Sequence, residues 1–178
     1  MLQKIRRVVT GLDEDGRSVF ISDAPADCVF SPKGQPNVGL TDLWVADRTP
    51  APLDSTDDPT DRPFHLTPKP GGTICRVVEF PPDKERNFET MQEYFADMQA
   101  ADNLDQGGSR HPAFHKTDTV DYLFILKGEI WALMDEGEIL LKEGDCLIQR
   151  GTNHAWSNRS DAPCLVIAVL VDAEPATA

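Results

Sequence analysis

Three side chains in this sequence have the types and spacing to do chemistry together: His115, Asp121 and His154. Side chains alternate faces along a strand, so His115, Thr117, Thr119, Asp121, Leu123 and Ile125 share one face if the segment is extended throughout. The first four are polar and the last two apolar, the pattern of a barrel strand that runs from an open mouth into a packed base. His154, Trp156 and Asn158 share a face by the same rule, just after the Gly151-Thr152-Asn153 turn. A single histidine in such a place is more often structural than a ligand. Two histidines and a carboxylate from separate strands change that weighting, because imidazole and carboxylate are natural ligands of Fe(II), Mn(II), Ni(II) and Zn(II). The same three groups could equally serve as a structural or hydrogen-bonding set. His111, just before Pro112, falls off the strand and reads as an exposed loop residue at the mouth. His65 carries no readable signal, and Tyr122 reads as packing on the outer face.

The elements that must position these groups are mostly strands. Thr73 to Phe80 is β-branched and apolar and is stopped by Pro81-Pro82. Val120 to Leu126 is an apolar run ended by Gly128. Glu129 to Met134 and Glu138 to Lys142 flank Asp135-Glu136-Gly137, a hairpin turn whose glycine can take positive φ. Cys146 to Gln149 and Pro163 to Val171 complete the series. Short strands at near-regular spacing, with no crossover helices between them, predict an all-β antiparallel barrel or sandwich. One amphipathic helix is expected at about 88–101, where Phe88, Met91, Tyr94, Phe95 and Met98 recur at helical spacing. Residues 22–72 are rich in Pro, Asp and Thr and cannot bury enough apolar area to fold alone. Residues 1–72 are therefore expected as an extended arm wrapped over a barrel of residues 73–171, the whole chain 1–178 being one domain, with Leu43-Trp44-Val45 and Phe64-His65-Leu66 as anchors.

The run from His115 to Glu129 resembles the first motif of the cupin superfamily, in which a His, a second His two residues on, a Glu and a later Gly recur. Gly144-Asp145 followed by Gly151-Thr152-Asn153-His154-Ala155-Trp156-Ser157-Asn158 resembles the second. The departures are specific. Thr117 stands in place of the second His, Asp121 in place of the Glu, Ser109 in place of an opening Gly, and Gln149 in place of a proline. The resemblance implies a double-stranded β-helix, the jelly-roll barrel. It implies a divalent metal (Fe, Mn, Ni or Zn) held by His115, Asp121 and His154, with positions left open for water and substrate. It also implies a small-molecule enzyme whose pocket lies in the barrel. Dioxygenation, decarboxylation, isomerisation and dehydration all remain open, because one fold hosts many chemistries. Trp156 and the apolar base would hold an apolar or aromatic metabolite, with Thr117, Thr119 and Asn158 as further substrate contacts. The competing expectation is a binding protein without catalysis, whose degenerate ligand set recognises a metabolite by hydrogen bonds. A homodimer is expected, since an open-ended barrel leaves strand edges for a second copy to cover.

Bulk composition narrows the partners. Thirty acidic against 17 basic residues give a net charge of -13, which disfavours nucleic acid and anionic membrane surfaces. The opening residues carry no signal-peptide or spanning pattern, so a cytoplasmic protein is expected. No organic cofactor is indicated. Cys28, Cys75, Cys146 and Cys164 are widely spaced and read as reduced, buried thiols.

Overall fold

The computed structural model describes residues 2–53 and 57–175. Eleven strands and one short helix make up the regular structure of these residues, with all strand pairings antiparallel. A six-stranded sheet runs in the order β3 (Val29–Phe30), β4 (Gly39–Ala46), β5 (Thr73–Phe80), β11 (Cys164–Asp172), β6 (Thr119–Lys127), β9 (Cys146–Arg150). Facing it is a three-stranded sheet of β10 (His154–Ser157), β7 (Glu129–Met134) and β8 (Glu138–Lys142). The first two strands, β1 (Arg6–Leu12) and β2 (Ser18–Pro25), pair with each other as a separate hairpin.

Period-2 burial shows why these segments are strands. In β6, Thr119, Asp121, Leu123 and Ile125 are buried, whereas Tyr122, Phe124 and Leu126 are exposed on the outer face. In β5 the inward positions are Ile74, Arg76, Val78 and Phe80, so a charged residue occupies an apolar face. The turn from β6 to β7 requires Gly128, with φ 81°; a Cβ there would stand 3.0 Å from the Pro163 carbonyl oxygen.

The first 72 residues do more than wrap. β4 is hydrogen-bonded along β5 and is a full member of the main sheet. Residues 57–72 hold no strand but are pinned from inside: Phe64 stacks on Phe30 at 4.4 Å, and the Arg76 guanidinium lies 4.4 Å above the Phe64 ring. The same guanidinium donates to the carbonyls of His65 and Leu66 at 2.8 and 3.2 Å. Its charge is met by Asp42 of β4 at 2.9 Å, and both side chains are 2% exposed.

The helical region is broken into a 3-10 turn at Phe88–Thr90, the α-helix α1 (Met91–Asp97) and a second 3-10 turn at Ala101–Asn103. The Asn87 side chain accepts from the Glu89 amide at 3.0 Å and starts the first turn. Met91, Tyr94, Phe95 and Met98 are buried, each contributing about 2 kcal/mol by leaving water. The buried reading of the cysteines holds for Cys164 alone. All four are free, but Cys28 and Cys75 are half-buried and Cys146 is exposed on edge strand β9.

Candidate functional site

Between the two sheets, and closed on one side by α1, lies a cavity of about 90 Å3. Much of its wall is apolar, with Leu40, Val78, Phe95, Leu123, Ala168 and Leu170 as examples. Its polar lining includes His115, Thr117, Asp121, His154 and two arginines, Arg76 and Arg86.

Backbone pairing fixes the two imidazoles. His115 and His154 form an isolated antiparallel bridge in which each amide donates to the other's carbonyl, at 2.8 and 2.9 Å. Directly opposed residues project to the same side of a ladder, and the ring centroids accordingly lie 4.3 Å apart. Each ring is oriented by its own Nδ1, which sits 3.0 Å from the Ala113 carbonyl in His115 and 2.9 Å from the Thr152 carbonyl in His154. A carbonyl can only accept, so Nδ1 carries the proton and Nε2 is left as a lone-pair acceptor in both rings. Burial pushes the His115 imidazole down to about 3, with the neighbouring His154 adding to the effect, and pushes His154 down to about 4. Both rings are neutral at pH 7.

Asp121 comes from the inward face of β6. Its Oδ1 is buried with no hydrogen-bond partner among the described residues, and desolvation pushes its carboxyl up to about 6 against the opposing pull of the Thr119 hydroxyl. A buried acceptor left unmatched is an expensive feature to retain without a use.

The remaining expected site residues divide. Thr117 and Trp156 line the cavity. Thr119 is buried beneath, its hydroxyl 2.8 Å from that of Thr117. Asn158 lies outside the cavity lining and is a structural lock: its Nδ2 donates to the carbonyls of Phe80 and Ala162, both at 2.9 Å, and its Oδ1 accepts from the Ser160 amide and hydroxyl. His111 is half-buried, not an exposed loop residue: its ring meets Phe88 edge-on at 4.9 Å, and its Nδ1 accepts from the Ala113 amide. His65 contributes its backbone carbonyl to Arg76.

Among the described residues no three side chains of His, Cys, Asp and Glu gather into a group able to hold a metal ion, and this includes His115, Asp121 and His154. The imidazoles meet each other, but Asp121 does not join them, so the residues present do not fit the two-His one-carboxylate centre.

Sequence reasoning missed Arg76, Arg86 and Tyr94 in the cavity wall. Arg76 had a signal, its even spacing with Ile74, Val78 and Phe80. Arg86 had none, because Asp83-Lys84-Glu85-Arg86 reads as a solvated run of charge.

Comparison with known proteins adds the following. The family model described as "Cupin domain" matches residues 103–170. Phomopsin biosynthesis cluster protein C' of Diaporthe leptostromiformis is 30% identical over 98% of this chain and 82% of its own length. Oryzines biosynthesis cluster protein J of Aspergillus oryzae is 28% identical over 97% of this chain and 85% of its own. A protein of Neurospora crassa named cupin-domain-containing oxidoreductase srdD is 28% identical over 96% and 76%. Among solved structures, a Cupin 2 conserved barrel domain protein from Salinispora arenicola aligns with 12% identity and a TM-score of 0.42, covering 80% of this chain and 82% of its own.

Proposed function

This chain belongs to the cupin superfamily, and from that premise we propose that it is an enzyme acting by proton transfer on a small, largely apolar or aromatic metabolite enclosed in the barrel. The observation that carries the reading is Asp121: a carboxylate with an unmatched buried oxygen in the wall of a mainly apolar chamber. Its acidity lies close to neutral pH, where a general acid or base is most effective. The two imidazoles supply fixed Nε2 acceptors that orient a substrate hydroxyl or enol, and Trp156 supplies a flat wall for the apolar body. Relatives that are named as products of fungal biosynthesis clusters, or as oxidoreductases, support an enzymatic role in small-molecule metabolism.

A second reading, a binding protein without turnover, is favoured by the failure of the three candidate ligands to gather. One experiment separates the two. A host strain lacking this chain is extracted, and the extract is incubated with wild-type protein and with Asp121→Asn, followed by mass spectrometry. Consumption of an accumulated compound by wild type but not by the variant is expected. Binding of that compound by both proteins with consumption by neither establishes the non-catalytic reading instead.

A further inference from the structure

The two arginines of the cavity wall are not equivalent. Arg76 is neutralised by Asp42, and its Nη1 and Nη2 are satisfied by the carbonyls of Leu66 and His65. Arg86 has no carboxylate within ion-pair distance among the described residues. The nearest acid in sequence, Asp83, is committed elsewhere: its Oδ2 accepts from the Ser157 hydroxyl at 2.5 Å and its Oδ1 from the Asn158 amide at 3.0 Å. Among the described residues, the hydrogen bond of the Arg86 side chain runs from Nη1 to the Trp156 carbonyl at 3.3 Å. Its buried Nε has no partner among the described residues. The guanidinium is held in place by the Phe88 ring, 4.7 Å from its carbon.

The edge formed by Nε and Nη2 is the one that grips a carboxylate side-on. This same molecule uses it between Arg6 and Asp23, where both bonds are 2.7 Å. Asp83 acts on this cation only at a distance, its own oxygens held by Ser157 and Asn158, so a guanidinium set against an apolar chamber with no carboxylate in ion-pair contact among the described residues calls for an anion from outside the chain. Among the described residues of the wall none supplies it, because the imidazoles are neutral acceptors and Asp121 bears on Arg76 rather than on Arg86.

We propose that Arg86 is the anion anchor of the cavity and that the ligand is a small carboxylic acid with an apolar or aromatic body, its carboxylate on the Arg86 guanidinium. The proposal rests on the reading of the barrel cavity as the ligand site. It names the class of compound that site selects: the acid, in preference to the corresponding amide or ester. The carboxylate satisfies Nε, the body lies along Trp156 and Phe95, and a hydroxyl elsewhere on the ligand reaches the imidazoles.

Benzoate and its neutral counterpart benzamide serve as probes, titrated into full-length protein at pH 7.5 by calorimetry and by Trp fluorescence. Wild type is expected to prefer benzoate by about tenfold or more, the usual worth of a charge-assisted pair. Arg86→Gln abolishes that preference, the two probes then binding with affinities within about twofold of each other, and Arg86→Lys restores part of it. Melting curves for both variants confirm that they are folded, and Arg86→Lys carries the test if Arg86→Gln is not. Equal affinity of wild type for the two probes, no benzoate binding, or an undiminished preference in Arg86→Gln overturns the anchor. Ala168→Phe fills the chamber and abolishes binding of both probes. If both bind that variant as they bind wild type, the cavity reading itself fails. If only the benzoate preference is missing, the cavity reading stands and the anchor alone is withdrawn.

Discussion

Replacing Arg76 with Leu isolates what a compensated cation in the cavity wall does. The substitution removes the partner of the Asp42 carboxylate, which is 2% exposed, and strips the His65 and Leu66 carbonyls of their donor. Breaking a buried pair by deleting one member costs about 3–5 kcal/mol, because the surviving charge is left desolvated. For a chain of 178 residues, the unfolding entropy at about 2.1 cal/mol/K per residue is about 0.37 kcal/mol/K, so the melting temperature should fall by about 8–13 °C. Burial already works against both partners, raising the Asp42 pKa and lowering that of Arg76, so the pair itself adds little net stability over an apolar pair. The double variant Arg76→Leu, Asp42→Leu should therefore recover most of the loss. Calorimetric melting of wild type, both single variants and the double variant at pH 7.5 gives the coupling directly. A single Arg76→Leu variant melting within 2 °C of wild type, or a double variant less stable than either single, would refute the reasoning.

Four other outcomes are expected. Between pH 7 and pH 4 the neutral, buried His115 and His154 bind fewer protons folded than unfolded, so their contribution is lost as pH falls below 6.5. Asp121, raised to about 6, works the other way, and the three groups sum to a net loss of about 4 kcal/mol. Denaturant titrations at the two pH values should show a loss about 2 kcal/mol steeper in Asp121→Asn than in wild type, and a shallower one contradicts the assignment. Asn158→Ala strips the buried Phe80 carbonyl and the part-buried Ala162 and Ser160 groups of their partner, and thermal melting should show a cost of about 1–3 kcal/mol with benzamide binding retained by the folded protein. Adding Mn(II), Fe(II), Ni(II) or Zn(II) should leave the melting temperature unchanged; stabilisation that disappears in His154→Ala would reinstate the metal centre. A two-fold dimer, covering the exposed Tyr122, Phe124 and Ile148 of β6 and edge strand β9, should appear as twice the chain mass in light scattering, and a monomer mass withdraws it.

The barrel was legible because its strands obey period 2 and its turns carry glycines, features local to a few residues. Thr119, Asp121, Leu123 and Ile125 face inward as the alternation requires. His115 is brought to the cavity differently, since the chain is not a continuous strand from 115 to 119; isolated bridges to Leu104 on one side and His154 on the other hold it. The pairing with His154 lies 39 positions apart in the chain and leaves no local trace. The expected role of Asn158 beside the ligand failed to foresee the Phe80 and Ala162 carbonyls, which reach it from β5 and the loop before β11. Arg86 was invisible for the same reason: its place in the cavity wall is set by Trp156, 70 positions away, and by α1, while the residues just before it are ordinary surface charges.

The place of β11 in the main sheet has a consequence in time. It is the last strand among the described residues, yet it stands between β5 and β6 and is hydrogen-bonded to both. During synthesis β3, β4 and β5 can associate as one leaf, and β6 and β9 as another, but the leaves have nothing to join them until Cys164 to Asp172 emerges. Val166, Ala168 and Leu170 arrive with that strand and complete the cavity wall, so an emerging chain exposes its future interior until β11 is made. Such non-local pairing makes folding slow and leaves two open sheet edges while it waits, the circumstance in which chaperone capture and mispairing compete with the native route.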